Sequence, residues 1–127
     1  MIILDENIPA DQCEMLWLKH IHAKHIGFDA ARKGIQDYEI IPFLHQLNRP
    51  TFFSLDADYC KRRLRHDGYC LVYLDIEDDE VAAYILQIVR HPALDTKAKR
   101  MGAVIRAEPK GMSLWRFRHE SKEYLSW

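Results

Sequence analysis

The stretch Ile2-Ile3-Leu4-Asp5-Glu6-Asn7-Ile8-Pro9 ("IILDENIP", residues 2–9) decides how this chain is read. Three consecutive apolar residues without polar alternation suit a short strand buried on both faces, as in a parallel sheet between helices. Asp5 then falls at the carboxyl end of that strand. Pro9 favours the first turn of a helix, where its missing N–H is not needed, and Ala10, Cys13, Trp17 and Ile21 recur at helical spacing as an inner face. The unit is a strand running into a helix, with an acid at the junction.

The unit recurs along the chain. Residues 51–55 ("TFFSL") are aromatic and β-branched, follow the breaker pair Arg49-Pro50, and run into Asp56 of "DADY". Between the two units, residues 22–28 predict a second short strand, and Asp37 is placed to N-cap a helix reaching about Leu47, through Pro42. Residues 70–74 predict another apolar strand, followed by Asp75. Val81, Ile85, Ile88 and Val89 mark a helix ending near Arg90. Residues 103–107 and 113–117 flank the turn "EPKG" as a terminal hairpin. Strands alternating with helices predict an α/β fold in one domain over 1–127: three α/β/α layers, a mostly parallel central sheet and a C-terminal hairpin.

A chain of 127 residues, 48% hydrophobic and 29% charged, can build a proper core, and its formal net charge of -1 exerts no global pull on nucleic acid or membrane. Any grip on a polyanion must come from local clusters. Cys13, Cys60 and Cys70 are odd in number and lack CxxC spacing, which points away from a disulfide framework and towards a reducing cytoplasm. The longest apolar run, residues 81–86, is far short of the roughly 20 residues that span a bilayer, so no membrane association is expected.

Functional groups in open α/β sheets collect outside the carboxyl ends of the strands, near the switch in strand order. Asp5 and Asp56 occupy such ends, and the long connection between their strands allows those strands to be neighbours. Carboxylates brought close together repel, and a divalent cation removes the conflict, so Mg²⁺ or Mn²⁺ is the expected ion. Asp37 is the expected third ligand, with Glu39 as the alternative; for either, helix capping is the plainer role. Asp58 is placed to add a ligand or position water, or to N-cap the next segment. The run "CKRRLRH" then reads as a helix carrying Lys61, Arg62, Arg63, Arg65 and His66 away from the acids, either gripping a phosphate backbone or forming a solvated face. Lys97, Lys99 and Arg100 form a second basic patch. Tyr59, beside the acids, is a core aromatic or a stacking surface for a base. His20, His22 and His25 lack the partners a zinc site needs.

"MIILDENIP", "QDYEI" and "FFSLDADY", in that order and spacing, resemble the small PIN-like proteins, a branch of the PIN-domain nuclease superfamily. The resemblance covers roughly the first half of the chain. It implies a PIN-like fold and metal-dependent endoribonuclease activity, as the toxin of a toxin–antitoxin pair with a small antitoxin protein as partner. On this sequence Asp5, Asp37 and Asp56 match the metal-holding acids, and Asp58 is the next acid of the third motif. With the residues read above, Asp58 would orient water, Asn7 would bond a ligand or phosphate, and Lys61, Arg62 and Arg65 would contact RNA. The family's third motif usually reads like "TRDKDF"; here Ser54-Leu55 stand where it has Thr-Arg. A homodimer is left open. The rival readings are a non-catalytic PIN-like RNA- or protein-binding module, a phosphoacceptor receiver domain, and a haloacid-dehalogenase-like phosphatase. The receiver lacks support because Pro109-Lys110 falls in a hairpin turn, and the phosphatase because Cys60 stands where Thr or Val is wanted.

Overall fold

The computed structural model describes residues 1–27 and 36–127. Among these, the strands are β1 (Ile2–Leu4), β2 (Ala23–His25), β3 (Thr51–Ser54), β4 (Cys70–Leu74), β5 (Ala103–Glu108), β6 (Gly111–Arg116) and β7 (Glu123–Leu125). The helices are α1 (Ala10–Leu18), α2 (Asp37–His45), α3 (Val81–Arg90) and α4 (Lys97–Arg100). The strands form one mixed sheet in the order β2-β1-β3-β4-β5-β6-β7; pairing is parallel from β2 to β5 and antiparallel from β5 to β7.

Side chains alternate across the sheet, so Leu4, Phe53, Val72 and Ile105 enter one apolar cluster and Ile3, Phe52, Leu71 and Val104 the other. Cys13 and Leu16 of α1, with Val81, Ile85 and Ile88 of α3, cover the first face; Ile40 and Leu44 of α2 cover the second. Ile3, Leu4, Phe52 and Phe53 are all buried, as unbroken apolar strands require. Each contributes about 1.5–3 kcal/mol by leaving water.

The structure differs from the sequence reading in several places. The inner face of α1 is Gln12, Cys13 and Leu16 rather than Ala10, Cys13 and Trp17. Gln12 lies inside because its Oε1 accepts the Ala82 N–H at the start of α3, 2.9 Å away. Trp17 is half exposed and donates its indole N–H to the Ala23 carbonyl at 3.0 Å. Strand β2 covers three residues of the expected 22–28, of which Phe28 lies outside the described residues. Helix α2 ends at His45, and its N-cap is Gln36, with Asp37 as the first helical residue. The expected helix over 61–66 is absent: short 3₁₀ turns at Ala57–Tyr59 and Arg62–Leu64 replace it. That segment is held by side-chain bonds instead, from Arg65 to the Arg116 and His119 carbonyls at 2.9 and 2.7 Å and from the Tyr69 hydroxyl to the Leu64 carbonyl. Strand β7 adds an edge beyond the predicted hairpin.

Gly111 opens β6 with φ 147°, and a Cβ there would lie 2.6 Å from the Leu125 carbonyl oxygen of β7. Gly111→Ala is therefore expected to cost more than about 1 kcal/mol. Thermal melts should report the loss, and hydrogen exchange should report weaker protection in β7; an unchanged melt would contradict the close approach.

Candidate active site at the carboxyl edge of the sheet

The chain leaves β1 for β2 on one side and returns to β3 on the other, so the switch in strand order falls between β1 and β3. In sheets of this order the crevice outside the carboxyl ends at that point is the usual ligand site. Asp5 and Ser54 meet there. The Asp5 N–H bonds the Phe53 carbonyl at 2.9 Å, extending the ladder one residue past β1, and the Ser54 hydroxyl donates to Asp5 Oδ2 at 2.6 Å. Asp5 Oδ1 accepts the Glu6 N–H at 2.8 Å.

Ser54 Oγ also accepts from the Asp56 N–H at 3.0 Å and from Asn7 Nδ2 at 3.3 Å. With both lone pairs engaged, its single hydrogen is directed at Asp5. Asn7 Oδ1 takes the Leu55 N–H at 3.3 Å, so the Asn7 amide closes the exit of β3 rather than projecting towards a ligand. Asp56 Oδ1 caps the following 3₁₀ turn by accepting the Asp58 N–H at 2.9 Å.

Asp37 opens α2, whose Ile40 and Leu44 pack on the sheet face of Ile3 and Phe52, and its charge acts on Asp5. The Asp5 carboxyl is pushed above the usual carboxylate range, first by burial, against the lowering effect of the Ser54 and Glu6 bonds, and then by the charges of Asp37 and Asp56. Tyr59 registers the whole group: burial raises its phenol first, and the charges of Asp5, Asp37, Asp56 and Asp58 add to that. Its ring packs edge-on against Phe52, with centroids 5.1 Å apart, and is only 5% exposed, so it is no stacking surface for a base. Its hydroxyl is buried with no hydrogen-bond partner among the described residues.

Other sequence candidates have different roles. Glu39 accepts the Gln36 N–H at 3.2 Å and completes a capping box for α2. Asp75, a third strand-end acid, pairs with Arg106 at 2.6 Å, and that bond holds its carboxyl below the usual range. Asp58 lies 4.0 Å from Lys61. The Arg62 guanidinium sits over the Trp115 ring at 4.9 Å, and Arg65 is tied to backbone carbonyls. Of the second basic patch, Arg100 is buried and bonds Thr51 Oγ1 and the Leu94 carbonyl, while Lys99 pairs with Asp95 at 2.8 Å. His25 uses its Nε2 on the Ile8 carbonyl and its Nδ1 on the Gly27 N–H. Ser54 is the residue of this crevice whose role sequence reasoning missed, a polar residue closing an otherwise apolar buried strand being the available signal, whereas Tyr59 is the core aromatic that one of its two readings expected.

Among the described residues, no three His, Cys, Asp or Glu side chains stand together as a ready metal cage. The donor set nevertheless suits a hard divalent cation, because Mg²⁺ commonly keeps several waters and takes only one or two carboxylates directly. Each carboxylate offers about four lone-pair sites. Two of those on Asp5 and one on Asp56 are engaged by the bonds above. A cavity of about 600 Å³ lies away from these acids, over β5–β7. Comparison with protein-family models, curated proteins and solved structures returns no match.

Two titrations check the geometry. Asp37→Asn should bring the Asp5 carboxyl down towards its ordinary value, read by NMR of the side-chain carbonyl, because one of the raising charges is removed. A raised folded-state pKa means that protonated Asp5 favours the fold at acid pH and that this contribution is lost as pH rises through the folded value. Asp37→Asn should therefore stabilise the protein at neutral pH. Ser54→Ala should do the opposite at Asp5, raising it further, and leave the Asp56 N–H without its acceptor, at a cost of about 1–3 kcal/mol in a urea melt.

Proposed function

We propose that this chain is a metal-dependent endoribonuclease of the PIN-like type, acting as the toxin of a toxin–antitoxin pair. The observation that supports the reading best is the electrostatic coupling of Asp5, Asp37 and Asp56 at the switch point, around a buried phenol with no partner among the described residues. Carboxylates held together against their own repulsion are a recognised mark of a functional site.

In this reading Asp5, Asp37 and Asp56 would hold Mg²⁺ or Mn²⁺. When bound, the cation supplies positive charge for the scissile phosphate and makes a water molecule acidic enough to attack it. The Ser54 hydroxyl fixes the rotamer of Asp5 and keeps its carboxylate an acceptor. Exposed Asp58, anchored through its N–H to Asp56, orients the attacking water and takes its proton. The partner that restrains such an activity is a small antitoxin protein covering the crevice.

The purified protein should cut single-stranded RNA with Mg²⁺ or Mn²⁺ and stop when EDTA is added. Asp56→Asn keeps the acceptor that caps the 3₁₀ turn but removes a charge, so cleavage should fall by roughly a hundredfold or more, the scale of losing one charge-stabilising group, with no loss of thermal stability. Calorimetry that detects no divalent ion, or a variant that cuts as fast as the parent, would overturn the nuclease reading and leave a non-catalytic binding module.

A further inference from the structure

Beyond buried Val104 of β5, the second face of the sheet carries Arg106, Ser113, Trp115 and Tyr124. Register places Ser54, Tyr73, Arg106, Ser113 and Tyr124 in one row across β3 to β7, all on the face that bears Asp5. The next row holds Val104 and half-buried Trp115. At strand spacings of about 4.8 Å, the row runs roughly 19 Å from the acid crevice to the sheet edge.

Three features of this row suit one ligand chemistry. Tyr124 is 74% exposed, and half-buried Trp115 lies on the same face, two residues along β6 from its register partner Ser113. Lys122 stands over both rings, its Nζ 5.7 Å from Trp115 and 6.0 Å from Tyr124, and the Arg62 guanidinium lies 4.9 Å from the Trp115 ring. The cavity of about 600 Å³ is lined by Arg106, Lys110, Lys122 and Tyr124, with Glu108 as its acid. Arg106 is matched by Asp75 and Glu108, whereas Lys110 and Lys122 have no carboxylate within ion-pair distance among the described residues. Exposed aromatics interleaved with unmatched cations favour stacked bases with a phosphate backbone.

We propose that the open face of β5–β7 is a single-stranded RNA platform, with a base stacking on Tyr124 and phosphates on Lys110 and Lys122, leading the strand along the Ser54–Tyr124 row to the acid crevice. The direction of that path rests on the nuclease reading; the binding does not.

The test is fluorescence anisotropy of a labelled oligoribonucleotide about twelve nucleotides long, within the usual site size, in EDTA at several salt concentrations. Tyr124→Ala should weaken binding roughly 5- to 100-fold, the loss of one base–aromatic stack, and Tyr124→Phe should restore it because the ring remains. Lys122→Ala should reduce the slope of log affinity against log salt by about 0.7, one phosphate contact on a single strand. Tyr124 is exposed enough for a matching melting curve to confirm that the variant folds. Parent-like binding by both Tyr124→Ala and Lys122→Ala overturns the platform. So does an acidic peptide of equal charge binding as tightly as the RNA, which would assign the face to an acidic protein. RNA binding that depends on Tyr124 without any cleavage in Mn²⁺ supports the platform and sinks the nuclease reading alone.

Discussion

The parallel pairing of β1 with β3 is the constraint on which the candidate site depends. It sets Leu4 opposite Phe53 and carries the ladder on to the Asp5 N–H, so the Asp5 side chain leaves the sheet beside Ser54. A slip of one residue would turn Asp5 to the α1 face, away from Ser54 and from the helix that carries Asp37. The register is held by burial: Ile3 and Leu4 on β1, and Phe52 and Phe53 on β3, fill both apolar layers at once. The same close packing that stabilises the sheet also keeps the acids together against their repulsion.

Two strand-end acids illustrate how environment separates function from structure. Asp75 follows β4 as Asp5 follows β1, yet Arg106 on the neighbouring strand pairs with Asp75 and holds it firmly ionised. Among the described residues Asp5 has no ion pair; a hydroxyl and a backbone N–H bond it, and burial, followed by the charges of Asp37 and Asp56, raises its proton affinity. The two carboxyls are thus shifted in opposite directions within one sheet. At the thiols of Cys60 and Cys70 burial is the largest cause, outweighing nearby arginines, and it pushes Cys70 up to about 12.

The basic segment after Asp56 contributes through packing. Arg65 stitches the 3₁₀ region to the end of β6 and the loop beyond it, His66 packs against His45 and Tyr69, and Arg62 rests on Trp115. In this way the loop after the acids is tied to the antiparallel edge of the sheet, and the crevice and the open face of β5–β7 share one rigid support. No helix among the described residues is long and apolar enough to cross a membrane.

Much of this was legible in the chain itself. Unbroken apolar runs such as Ile2-Ile3-Leu4 and Cys70 to Leu74 specify buried strands, the spacing of Val81, Ile85 and Ile88 specifies α3, and the turn Pro109-Lys110-Gly111 specifies a hairpin, because burial and backbone sterics act locally. That Asp5 and Asp56 end strands follows from the same local signals. Tertiary structure alone decided the rest, since it depends on partners distant in sequence. Gln12 is buried because Ala82 needs an acceptor, and Arg100 because Thr51 and Leu94 do. The run from Lys61 to His66 is not one continuous helix, and its Arg65 bonds the carbonyls of Arg116 in β6 and of His119 beyond it. Ser54 is a site residue because strand order, which no local pattern encodes, puts it against Asp5, 49 positions away.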